Sequence, residues 1–207
     1  MSSSIKIITI IGIVYLVAII PVSYIIPISW AWENGPIEDA QAVVLFIGFI
    51  MSLKYASHAR FSGMWYTAAT CFLLMTGREL SWGRVFFPLP SEPGSGPSFI
   101  DMVDVPHHEL IYAVIGLVLI FALYGFVRKV QWRMVKKYMP WPSAVLCIVF
   151  IVIQYMAEHH IFFDHAISEP LEELGELYAY ILLVAITSYL HENIENGRTY
   201  VGKFYRR

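Results

Sequence analysis

Charge is what this sequence has least of. Only 14% of its 207 residues are Asp, Glu, Lys or Arg, against 57% hydrophobic, and the mean hydropathy is +0.60. A water-soluble domain carries roughly 25% charged residues. The deficit argues against a soluble globule and for lipid as solvent, where apolar side chains meet no desolvation cost. A cationic excess is lacking too: the net charge of −2 speaks against a nucleic-acid partner. Cysteine is scarce, with Cys71 and Cys147 each in an apolar run and no CxxC spacing, so neither a disulfide framework nor a thiol redox centre is expected. HExxH, GxSxG, Walker and glycine-rich nucleotide motifs are missing, as is a rhomboid-like serine–histidine arrangement. Ser81 is a lone outer serine, better suited to a helix-end hydrogen bond than to nucleophilic attack. His58 and His191 lack the spacing to meet the remaining histidines across a bilayer, which disfavours haem.

Long apolar runs are abundant. A membrane span takes about 20 residues at 1.5 Å each. Six segments fit or nearly fit: 5–28, 37–56, 61–78, 107–127, 141–160 and 170–191. They form an all-α integral membrane bundle in one domain over 1–207, without internal repeats. Ser29-Trp30-Ala31 loosely resembles a signal-peptidase site, but the 26 uncharged residues from Ile7 to Trp32 far exceed a signal-peptide core of roughly 7–15. A spanning helix is expected there, kinked or ended by Pro21 and Pro27. Asp104-Val105-Pro106 and Ser168-Glu169-Pro170 read as helix starts, a capping side chain preceding a first-turn proline.

With the N-terminus inside, 12 of the 14 basic residues fall on the cytoplasmic side, leaving Arg78 and Arg84 outside. Both termini are then cytoplasmic by the positive-inside rule, and a multipass protein of a bacterial inner membrane is expected. The outer connection 80–106 begins with an aromatic stretch, Trp82 to Phe87, suited to the headgroup level. Membrane lipids are the expected partners, with a second copy or another membrane protein possible. The inner basic stretch Arg128–Tyr138 fits ordinary topogenic charge.

The acidic residues played no part in setting that topology, yet 14 of the 16 fall outside, with five of the seven histidines. Helices two and six have only 14 uncharged residues each, Ala40–Leu53 and Leu177–Leu190. Fourteen residues span about 21 Å, roughly 9 Å short of the hydrocarbon thickness. Carboxylates snorkel poorly, so Glu38, Asp39, Glu173 and Glu176 are drawn below the surface, where such groups face a protein interior or an aqueous cavity. Glu169, Glu173, Glu176 and Tyr180 share one stripe of helix six; Cys147, Gln154, Glu158 and His165 make another on helix five. His160 with Asp164, and Asp104 with His108, are i, i+4 pairs. Arg78 and Glu79 end helix three, and Arg78 is the cation placed to balance the cluster.

Three chemistries fit this pattern. In a metal site for zinc, iron or manganese, ligands would come from Glu38, His107, His108, Glu158, His159 and His160, with Glu79, Glu173 or Glu176 activating a bound water. Arg78, Asp104, Asp164, His165 and Trp82 would support it. The function would be a metal-dependent hydrolase or transferase acting on a lipid or envelope substrate. In a proton-sharing cluster, crowded carboxylates hold protons in a cation- or proton-coupled transporter or channel. The inner halves of helices two to five read as apolar, which hides any complete crossing path. The third possibility is a polar cap stitching helix ends in a structural subunit.

The run Arg78-Glu79-Leu80-Ser81-Trp82-Gly83-Arg84-Val85-Phe86 resembles a family of uncharacterised bacterial multi-helix membrane proteins whose pattern is Glu-Glu-(Leu/Ile)-Ser-Trp-Gly-Gln-Arg-(Ile/Leu)-Phe. Trp32 to Glu38 and Leu171 to Leu177 are similar to its acidic approaches to helix two and to the last helix. Arg78 replaces the first glutamate, and Asp104 to Glu109 replaces an asparagine-rich segment with one histidine. The resemblance implies the membrane fold and importance for Glu38, Glu79, Glu173 and Glu176; it names no reaction.

Overall fold

The computed structural model describes residues 3–90, 96–161 and 165–204, excepting the side chains of 165, 166 and 196–204. Its helices are α1 (Ser3–Ser23), α2 (Pro36–His58), α3 (Ser62–Glu79), α4 (His108–Arg128), α5 (Trp132–Tyr138), α6 (Trp141–Glu158) and α7 (His165–Phe204). Five helical stretches are long and apolar enough to cross a membrane: α1, α2, α4, α6 and Ile167–Glu195 of α7. Helices suit that setting because each closes its own backbone hydrogen bonds where no water can. α3 has 18 residues but is less apolar, broken by Thr67, Thr70 and Thr76 and by its Arg78-Glu79 end. It lies between α2 and α4.

α7 is the central post, touching α1, α2, α5 and α6. Lipid gives helices no hydrophobic drive to associate, so close packing holds them. Leu45, Phe150, Leu171, Leu182 and Ile194 are fully enclosed. Gly48 is needed where α2 meets α3 and α7: a Cβ there would stand 2.8 Å from the Phe72 ring and 2.9 Å from Val184. The outward faces stay apolar and bare, with Val17, Leu117 and Val127 strongly exposed. α4 packs chiefly on α3, and of its residues only Ala122 and Gly125 are buried.

Most helix ends fall within a few residues of the sequence expectation; the exceptions are instructive. α1 stops at Ser23 with Pro21 inside it, and a single 3-10 turn follows at Ile28–Trp30. α4 does not begin on an Asp104 cap: Met102–Asp104 is a 3-10 turn, and His107, in the left-handed region at φ 60°, takes the N-cap position without a side-chain bond. α7 begins at His165, five residues before Pro170, rather than at the proline. Proline lacks only the N–H that would bond to residue 166, and its buried ring packs in the first turns. The helix also runs past His191 to Phe204. The outer connection holds a 3-10 segment, Ser81–Phe86, and a two-residue antiparallel pairing of Pro88–Leu89 with Ser98–Phe99.

Candidate functional site

Two helices deliver one compact polar centre. The last turn of α3 supplies Arg78 and Glu79, and α7 supplies Glu176 and, one turn on, Tyr180. The Tyr180 hydroxyl lies 2.8 Å from Glu79 Oε1 and 2.6 Å from Glu176 Oε1. Arg78 Nε donates to the same Glu79 oxygen at 3.1 Å, and its Nη2 donates to the same Glu176 oxygen. The two carboxylate side chains are only 3% and 9% exposed while that of Arg78 is 60% exposed, so the guanidinium forms a lid between them and the outside.

The chemistry of this arrangement follows from counting protons. A phenol hydroxyl has one hydrogen and can donate a full bond to one carboxylate oxygen. A bond to the second requires that carboxyl to carry the hydrogen and donate to the phenol oxygen. Two carboxylates and one guanidinium sum to −1, and one added proton makes the group neutral. Tyr180, Glu79 and Glu176 thus have the geometry to share a proton.

A second, linked pair stands beside it. Gln41 of α2 is wholly buried, and its Nε2 donates to the Glu173 backbone oxygen at 2.9 Å and to Glu173 Oε2 at 2.7 Å. Glu38 accepts a bond from the Asn34 backbone N–H, so this third helical residue doubles as a helix-start cap. It remains close enough for its charge to act on Glu79, Glu173 and Glu176. Glu172 faces Gln154 and Glu158 of α6. A pocket of about 90 Å³ lies against Glu176 and Tyr180, walled by Met75, Cys147, Ile151 and Gln154. That is roughly three water volumes.

The histidines do not join this centre. His107 is exposed. His108 Nδ1 lies 3.3 Å from the Val105 carbonyl oxygen, and its ring is edge-on to Tyr112. His159 is exposed and held against Tyr155, with Nδ1 3.0 Å from the Tyr155 carbonyl oxygen. His160, at φ 52°, turns its Nδ1 to Ser168 Oγ at 2.9 Å. Glu158 is exposed and accepts from Gln154 at 3.3 Å. Asp39, Asp104 and Glu169 are also exposed. Asp164 and the His165 side chain lie outside the described residues. Among the described residues, no three His, Cys, Asp or Glu side chains converge on a point fit for a metal ion.

The loop after α3 is tied to the site by a residue that the sequence presents as a plain loop position. Glu33 accepts from the Ser81 hydroxyl at 3.0 Å and forms an ion pair with Arg84. Ser81, Trp82 and Gly83 all have positive φ, and this turn lays the Trp82 ring on Gly77, where a Cβ would meet it at 2.3 Å. Trp82 therefore closes the α3 end beside Arg78.

The end of the α2–α7 seam away from Arg78 carries a second group of polar and aromatic side chains. Tyr55 and His191 rings stack at 3.9 Å and 9°, with Trp65 edge-on to His191 at 5.0 Å. The Tyr55 and Ser188 hydroxyls lie 2.8 Å apart. Among the described residues, four buried side-chain atoms have no hydrogen-bond partner: Gln41 Oε1 beside Glu173, and Ser52 Oγ, Trp65 Nε1 and Glu195 Oε1 toward the other end of the bundle. Gln41 and Ser52, eleven residues apart on α2, are separated by about 17 Å along the helix. Leu45, Phe72 and Val184 fill the interval. Set against known proteins, the chain matches no family model, no curated protein and no solved structure.

Proposed function

We propose that this chain is a six-span protein of a bacterial inner membrane, with cytoplasmic termini and the acidic site outward, and that it works as a cation- or proton-coupled transporter. The observation that carries the reading is the single Tyr180 hydroxyl set between Glu79 and Glu176 under the Arg78 lid. Such a centre gains and loses one proton with little rearrangement, because the phenol and guanidinium already hold the oxygens in place. The unpartnered atoms along the α2–α7 seam add to it. Buried polar groups normally find partners, and a run of exceptions suits transient water or a passing ion. Leu45, Phe72 and Val184 would be the apolar barrier between the outer centre and the inner Ser52–Tyr55–His191 group. The family resemblance at 78–86 is consistent with weight on Glu79.

A metal-dependent hydrolase or transferase using zinc, iron or manganese draws less support, since Glu38 caps α2, Glu158 and His159 point outward, and His107, His108 and His160 are held apart. One comparison separates the readings. Purified protein in liposomes should carry an ion- or pH-driven flux that Glu79→Gln and Glu176→Gln abolish while folding persists. Bound metal by elemental analysis, lost in a His107→Ala/His108→Ala or His159→Ala/His160→Ala variant with no flux in the parent, would replace transport with metal catalysis.

A further inference from the structure

At the end of the bundle opposite the carboxylates, two connections meet. Arg60 lies in the short turn between α2 and α3, and Arg128 and Lys129 end α4. Between them is a recess of about 190 Å³, whose wall is completed by Ser62, Gly63 and Gln131. It opens to the surface and has room for roughly six waters, enough for a phosphate group.

The recess is built rather than merely lined with surface charge. The Lys129 stem lies along Gly63, where a Cβ would meet its Cβ, Cγ and Cδ at 3.1–3.3 Å. The Lys129 backbone is fixed by its N–H bond to the Gly125 carbonyl at 2.7 Å, and its ammonium stands 5.8 Å from the Tyr124 ring. The Arg60 backbone N–H points at Glu195 Oε2, 3.4 Å away, and its guanidinium lies 6.0 Å from the Phe61 ring. Among the described residues, no carboxylate comes within 4.0 Å of the cationic groups of Arg60, Arg128 or Lys129. Three cationic residues therefore stand around one recess, with the Glu195 carboxylate at the Arg60 backbone rather than in an ion pair with any of their cationic groups. Trp132 marks the depth: its indole N–H donates to the Phe126 carbonyl at 3.2 Å and its ring is edge-on to Phe126, an aromatic at the apolar–polar boundary.

We infer that this recess is a binding site for the phosphate of an anionic phospholipid head group, whose acyl chains would lie along the bare apolar face of α4. Compact, strongly hydrated lysine and the planar arginine fork both suit phosphate oxygens. A basic pocket between helix ends at headgroup depth suits a lipid better than a soluble anion, because the chains add apolar burial that free phosphate lacks.

Native mass spectrometry of the intact chain released from mixed micelles tests this. Phosphatidylglycerol or cardiolipin should remain bound where phosphatidylcholine does not. Arg60→Gln/Lys129→Gln should lower the affinity roughly 100-fold, the loss of two charge-assisted hydrogen bonds to phosphate. Lys136→Gln/Lys137→Gln removes equal charge outside the recess and should change little. Equal loss in both double variants would overturn the site in favour of diffuse attraction. Displacement of the lipid by millimolar inorganic phosphate alone would overturn the lipid assignment. Should Arg60→Gln/Lys129→Gln misfold, Gly63→Leu, which displaces the Lys129 stem while keeping every charge, must still weaken retention.

Discussion

The two ends of the α2–α7 seam use the same helices and comparable burial for opposite chemistry. Outside, formal charges are packed together and each is answered: Glu79 and Glu176 by Arg78 and Tyr180, Glu173 by Gln41. At the other end, the rings of Tyr55, Trp65 and His191 fit face and edge, while Trp65 Nε1 and Ser52 Oγ go unanswered among the described residues. Charge in a low-dielectric interior demands partners or a proton; an unpaired neutral dipole costs less but still costs, so the Trp65 and Ser52 atoms are places that transient water would fill while ring contacts carry the packing energy. The outer end is thus built around electrostatics and the inner end around shape.

Substitutions can break that contrast. The largest effect is expected at the inner end: Trp65→Ala should cost about 3–5 kcal/mol, the range for emptying a buried aromatic, measured by denaturant unfolding in mild detergent. Next comes Arg78→Ala, which leaves the proton-sharing Glu79–Glu176 pair with one buried negative charge and no cation beside it. Breaking a buried pair costs about 3–5 kcal/mol, but the exposed guanidinium discounts this to about 1–3 kcal/mol. The deficit should narrow as pH falls, because protonating the remaining carboxylate removes the uncompensated charge. A deficit that ignores pH would mean that Arg78 acts through packing alone.

Smaller again, Tyr180→Phe should cost about 1–2 kcal/mol by leaving carboxylate oxygens without their donor. In a double-variant cycle with Glu79→Gln the two losses should fail to add by at least about 0.5 kcal/mol. The smallest effect sharpens the contrast most. Trp65→Phe keeps a ring and deletes the unanswered N–H, so its cost should stay under about 1 kcal/mol, well below Trp65→Ala. A large loss in Trp65→Phe would show that the indole nitrogen has a partner after all.

Much of this was legible from residue order. Apolar run lengths located the helices, and the shortness of the uncharged runs in α2 and α7 singled out Glu173 and Glu176 as submerged. Helical spacing put Tyr180 on their face. The histidines stand apart from the Tyr180 centre, and His107 and His160 take positive φ at helix ends, a backbone conformation that helical spacing does not foresee. Gln41 was missed because it carries no charge and hides in a run counted as apolar. Glu33 was missed because its partners, Ser81 and Arg84, lie 48 and 51 residues away across a loop that no periodicity links to it. The inner ring stack escaped because tyrosine, tryptophan and histidine near a membrane end read equally well as interfacial anchors.

Infrared spectroscopy of the protein in lipid, titrated across neutral pH, bears most directly on the shared proton. The account predicts a protonated-carboxyl stretch at neutral pH that disappears in Glu176→Gln or Glu79→Gln and shifts in frequency in Tyr180→Phe. A spectrum at neutral pH with no protonated carboxyl, unchanged by all three substitutions, would contradict it.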